Sequence, residues 1–146
     1  MKLDRAAIER LVPHAGAMCL LDAVTEWNAE SIACTSALPG PDHPLARNRR
    51  VPAIVATEYA AQATAVHGAL LEGTGTPRAG MLATLVDVQL GADAIPVSGE
   101  ALSVRADLLS RSASGCMYSF DVRATGASIA SGRLLVVLAA TAEETP

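Results

Sequence analysis

The segment PAIVATEYAAQATAVHGALL, Pro52 to Leu71, opens on a proline, has no other, and carries a single glycine at Gly68. Proline suits the first turn of a helix, where its missing N–H costs nothing, and Gly73 and Gly75 follow as stop signals. One long helix is therefore predicted from about Pro52 onward. It is apolar enough to raise the question of a membrane span, but Glu58, Gln62 and His67 lie inside it and each would be costly in lipid. A buried helix of a soluble domain fits better. Its alanines, Ala53, Ala56, Ala60, Ala61, Ala63, Ala65 and Ala69, would let a sheet approach its backbone closely.

Reading outward, Asp4 to Leu11 has Ala7, Ile8 and Leu11 at helical spacing and Pro13 beyond, which predicts a short helix. Cys19 to Trp27 and Ser31 to Leu38 are strand-like runs joined by the polar Asn28-Ala29-Glu30, as in a hairpin. Pro39 to Val51, with Pro39, Gly40, Pro41 and Pro44, reads as a long functional loop. Beyond Gly80 come four further strand-like runs: Met81 to Leu90, Ala101 to Ser110, Met117 to Thr125 and Ile129 to Leu138. Turn chemistry separates them at Pro96 to Gly99, at Ser112 to Gly115 and at Gly126. Two strands, a helix and four strands define an α+β domain in which an antiparallel sheet of about six strands wraps one central helix. Residues 1–140 form a single domain on this reading, and 141–146 a disordered tail.

Composition narrows the function. The chain has 146 residues, 51% of them hydrophobic but only 3% aromatic, and a formal net charge of −4. An acidic surface with few stacking rings argues against a nucleic-acid partner. Three widely spaced cysteines, Cys19, Cys34 and Cys116, show no metal-ligand spacing and fit a reduced cytoplasm. The charged start, with Lys2, Asp4, Arg5, Glu9 and Arg10, does not resemble a secretory signal. No phosphate loop, dinucleotide fingerprint, nucleophile elbow or zinc motif is present, so neither metal nor cofactor is expected.

Chemistry concentrates around the central helix. Glu58 is its one charged residue before Glu72. A carboxyl group buried there would either be kept protonated by desolvation, as a general acid requires, or pair with an arginine as a structural carboxylate. Gln62, four residues on, shares its face and would orient Glu58 or a substrate amide, or serve as a satisfied core glutamine. His67 points elsewhere and reads as structural, and His14 as a capping or packing residue. His43 in the long loop is either a solvated histidine or a base ahead of the isolated acid. Arg47, Arg49 and Arg50 are either a solvated run or a docking patch for a phosphate or an acidic protein. Asp22 reads as fixing a strand end.

Taken together, His43-Pro44 and the run from Arg49-Arg50-Val51-Pro52-Ala53 through Glu58-Tyr59-Ala60-Ala61-Gln62 resemble the active-site segment of the bacterial β-hydroxyacyl-carrier-protein dehydratases. There a His-Phe-Pro-Gly loop leads to a Pro-Gly helix start, an acidic residue and Ala-Gln one turn later. Leu11-Val12-Pro13-His14, Leu20-Leu21-Asp22, Met81-Leu82-Ala83 and Ile95-Pro96 to Gly99-Glu100 are similar to other elements of that family, so the likeness spans about Ile8 to Leu138. It departs in two places. His43 is followed by Pro44-Leu45-Ala46 and lies one residue farther from the acid, and Ala53 replaces the glycine. The pattern is closer to the divergent dehydratase-like subunits of aryl-polyene-type biosynthesis.

The resemblance implies a hot-dog fold and the dehydration of a 3-hydroxyacyl thioester to an enoyl thioester. It implies His43 as the base that takes the α-proton and Glu58 as the acid that protonates the departing hydroxyl. The Ala53 N–H would polarise the thioester carbonyl. The acyl group would ride on phosphopantetheine, from an acyl carrier protein or coenzyme A, with Arg47, Arg49 and Arg50 docking the carrier. A homodimer or a heterodimer with a second hot-dog subunit is implied, since the family's sites draw on two subunits. Two alternatives stay open: a thioesterase in which Glu58 activates water, and a catalytically degenerate partner of an active homologue.

Overall fold

A computed structural model describes residues 2–11, 19–73 and 80–138. Val12, Pro13, His14 and the tail from 139 onward lie outside these residues, as do the readings made of them.

Leu3–Asp4 forms a two-residue strand, β1, and Arg5–Leu11 the helix α1. The Asp4 carboxylate accepts the Ala7 N–H at 2.9 Å, so the first orphan donors of α1 are capped from the strand itself. The hairpin follows as β2 (Ala23–Trp27) and β3 (Ser31–Ser36). Asn28 fixes its turn by accepting the N–H groups of Glu30 and Ser31 on its side-chain oxygen. Both strands are shorter than the apolar runs that announced them. Cys19 to Leu21 are buried all the same, because they pass over α2 rather than joining the sheet.

The long segment starts as a short 3-10 turn, Ala53–Val55, and continues as α2, Ala56–Glu72. Gly73 closes it in the left-handed conformation, φ 63°, donating its N–H to the Ala69 carbonyl. Four strands complete the chain: β4 (Gly80–Leu90), β5 (Leu102–Ser112), β6 (Gly115–Ala124) and β7 (Ala127–Leu138).

All pairings are antiparallel, in the order β1-β2-β3-β5-β6-β7-β4. Among the described residues the sheet thus has seven strands where about six were expected. The extra one, β1, is two residues long, too short to leave a periodic signal. The first half of β5 alternates buried and exposed positions and β6 alternates half-buried and buried ones, as a sheet with one face on the core must. That face closes on α2, which touches β3, β5, β6 and β7. Ala53, Ala56, Ala60 and Ala63 are essentially inaccessible, whereas Ala65 is exposed, so α2 has one uncovered side. Among the described residues no helix is long and apolar enough to cross a membrane.

Candidate active site

The loop between β3 and α2 is held by three local devices. His43 and Ala46 close successive turns through backbone bonds His43 N–H to Gly40 O and Ala46 N–H to His43 O. Arg47 and Arg50 then exchange both backbone hydrogen bonds around Asn48 and Arg49, whose φ angles are 52° and 64°. Positive φ at both central positions makes this a type I′ turn. Asparagine tolerates that conformation, but an arginine at the second position is there against its backbone preference. The turn lifts Arg47, Arg49 and Arg50 into solvent, and among the described residues none of them pairs with a carboxylate.

The third device runs from Val51 to Ala53, which pairs with the stretch after β4: Ile95 N–H bonds Val51 O at 2.9 Å, and Ala53 N–H bonds Asp93 O at 3.0 Å. This corrects the expectation for Ala53. Its N–H is committed to a backbone carbonyl and is not presented to a substrate.

Glu58 lies in the first turn of α2 and is half-buried, not enclosed. Among the described residues nothing encloses it as the expected desolvated pocket would, since α2 has an uncovered side. The arginine partner of the structural alternative is missing too: among the described residues Glu58 forms no ion pair or hydrogen bond. Its carboxyl group is available to a ligand or a second subunit.

Gln62 is 2% exposed, and its side-chain oxygen accepts the Leu20 N–H at 2.9 Å. It braces the segment before β2 and does not orient Glu58. Ser36, also buried, donates to the Leu20 carbonyl at 2.7 Å, so both backbone groups of Leu20 are satisfied from below. Asp22 accepts the Ala37 N–H and pairs with Arg5, fixing the strand end as read.

His43 faces Tyr59, the residue after Glu58, with ring centroids 6.3 Å apart and planes inclined at 25°. Consecutive helical residues point about 100° apart, so His43 of this chain is turned to a different side of α2 from Glu58. Nδ1 of His43 accepts the Leu45 N–H at 3.0 Å, which leaves the ring proton on Nε2, facing the Tyr59 hydroxyl at 3.3 Å. Burial lowers the His43 pKa from the ordinary histidine value. Tyr59 is 1% exposed, and its phenol is pushed up to about 12, first by burial and then by the charge of Asp22, with the nearby Ser36 side chain opposing the rise. Nothing in the sequence marked Tyr59; a phenol in an alanine-rich helix with a histidine upstream was the available signal.

At the far end of α2, His67 is fully buried. Its Nε2–H donates to the Asn28 carbonyl at 2.7 Å, so Nδ1 accepts from the Tyr118 hydroxyl, also at 2.7 Å. Burial depresses its pKa, with the charge of Arg111 adding to the effect and the Asn28 bond opposing it. This histidine is structural, as expected.

A seven-stranded antiparallel sheet closed on one helix, with an acid on the helix's first turn and a histidine loop ahead of it, is the hot-dog arrangement. Within that class the chain belongs to the ApeP-like family, described as ApeP dehydratase, whose profile matches residues 6–145. No curated protein matches the chain at a significant level. Among solved structures, the dehydratase heterocomplex ApeI:P from Xenorhabdus doucetiae is similar, at 21% identity over 93% of each chain and a TM-score of 0.75. The fold is shared with zebrafish thioesterase superfamily member 2, at 14% identity over 92% of this chain and 95% of that one, TM-score 0.66. It is shared too with the Escherichia coli PaaI protein from the phenylacetic acid degradation operon, at 10% identity over 91% and 88%, TM-score 0.60.

Proposed function

We propose that the chain takes part in dehydrating a 3-hydroxyacyl thioester to the trans-2-enoyl thioester, within a fatty-acid-like or polyene-forming pathway. The observation that carries this reading is Glu58: a carboxyl group on the first turn of the central helix of a dehydratase-family fold, half-buried and without a partner among the described residues. It supplies the proton for the departing β-hydroxyl, and a histidine removes the α-proton. Because His43 and Glu58 of one chain face different sides of α2, the working pair is assembled across two subunits, Glu58 of one with the histidine of the other. Ala53 keeps no oxyanion role while the Asp93 carbonyl holds its N–H.

The dimer suits the sheet. Strand β4 is eleven residues long and terminal in the sheet order, so it presents an unpaired edge that a second hot-dog subunit can extend. Similarity to a chain of the ApeI:P heterocomplex supports a second, different chain as that partner. The Arg47-Arg49-Arg50 turn would receive the phosphate of phosphopantetheine or an acidic carrier protein, guanidinium groups being suited to bidentate phosphate contacts.

A second reading is favoured by two observations: both His43 ring nitrogens and the Ala53 N–H are already engaged. On that reading the chain completes a heterodimer whose partner holds the reacting groups. Assaying 3-hydroxyacyl thioesters with the chain alone, and then with a second hot-dog subunit, separates the two. Turnover by the chain alone supports the first; turnover only in the mixture, unaffected by Glu58→Gln, supports the second.

A further inference from the structure

His43 sits between two fixed groups that come from different parts of the chain. On one side is the Leu45 N–H, held in the loop by the turns that Gly40 and His43 close. On the other is the Tyr59 hydroxyl, carried on α2 and itself 1% exposed. A backbone N–H can only donate, so the nitrogen it meets must carry the lone pair, and the remaining nitrogen must carry the proton. The lone pair that would take a substrate proton is thereby directed at the protein's own backbone. Ring stacking on Tyr59 restrains rotation about the remaining torsion. Tyr59 cannot yield easily, because it is packed in the core beside Ser36 and in the field of Asp22.

We infer that Tyr59 is a positioning residue: with the Leu45 N–H it clamps His43 as the Nε2–H tautomer with its basic lone pair capped, so that His43 becomes a base only when the clamp opens. The inference rests on the reading of His43 as the base of the dehydration. It adds a residue and a resting state to that reading, and it explains how one chain can carry an intact histidine that does nothing until a carrier, substrate or second subunit turns the ring.

Both of its consequences are measured without substrate, so they can fail while dehydration stands, and dehydration can fail while they stand. The ring-nitrogen spectrum of the wild-type chain, with His43 assigned by its loss in His43→Asn, is expected to show the Nε2–H tautomer near pH 8. Carbethoxylation with diethyl pyrocarbonate attacks the nitrogen that bears the lone pair. It is expected to be slow at His43, absent at the fully buried His67, and on the order of tenfold faster at His43 in Tyr59→Phe. A wild-type ring protonated on Nδ1 would overturn the clamp even if Tyr59→Phe failed to fold, and so would equal modification rates in wild type and a folded Tyr59→Phe.

Discussion

Glu58 and Arg49 occupy their positions for reasons that packing does not supply. Glu58 stands half-buried on α2 with no cation among the described residues to hold it. Glu58→Gln removes the proton that a leaving hydroxyl needs while keeping the shape, so turnover should fall by roughly a hundredfold or more. Thermal unfolding should barely move, since no buried ion pair is broken; a loss on the order of 3 kcal/mol would instead reveal a structural pair. Arg49 sits at φ 64°, where glycine is at ease. Arg49→Gly is therefore expected to hold or raise stability, by on the order of 0.5 kcal/mol, while weakening use of carrier-bound substrate relative to a short thioester analogue. Denaturant unfolding and a paired assay on the two substrates check this. A loss of stability with unchanged carrier use would show that the turn is shaped for folding alone.

Among the elements, α2 carries the core and both histidine contacts. Ala60 and Ala63 are wholly buried under the sheet, and Ala60→Leu should cost about 1–3 kcal/mol, read as a lower denaturation midpoint with an unchanged slope. The His67–Tyr118–Asn28 chain ties α2 to β6 and to the β2–β3 turn. His67 and His43 both have folded-state pKa values below the unfolded value of 6.5. The unfolded chain then binds more protons as pH falls, so stability should be level above about pH 6.5 and decline as pH drops toward the folded-state values. Tyr118→Phe leaves the buried Nδ1 without its donor and should cost about 1–3 kcal/mol. Unfolding curves from pH 8 to pH 5 test the first expectation, and a stability that rises on acidification would contradict it.

For the molecule as a whole, the sequence was most informative where a pattern repeats. The proline start, alanine run and Gly73 stop marked α2, and the turn residues at Ser112 to Gly115 and at Gly126 set off β5 and β6, because each rests on local chemistry. β1 escaped because two residues carry no period, and Cys19 to Leu21 misled because burial under a helix and burial in a sheet leave the same apolar run. At the site, the spacing of Pro52, Glu58, Ala61 and Gln62 was legible. That Gln62 is a satisfied core glutamine was among the readings, but its partner Leu20 was not legible, nor was the bond of Ala53 to Asp93, since these partners are distant in sequence and close only in the fold. Tyr59 was invisible for the same reason: its partner lies sixteen residues away across a loop.

The most direct test follows the fate of a short 3-hydroxyacyl thioester, on both phosphopantetheine carriers, incubated with the purified chain alone and with a second hot-dog subunit, and read by mass spectrometry. Loss of water with the thioester intact, abolished by Glu58→Gln, is the expected result. Release of the free thiol, or water loss that the Glu58 variant leaves unchanged, would contradict the assignment of this chain's acid to dehydration.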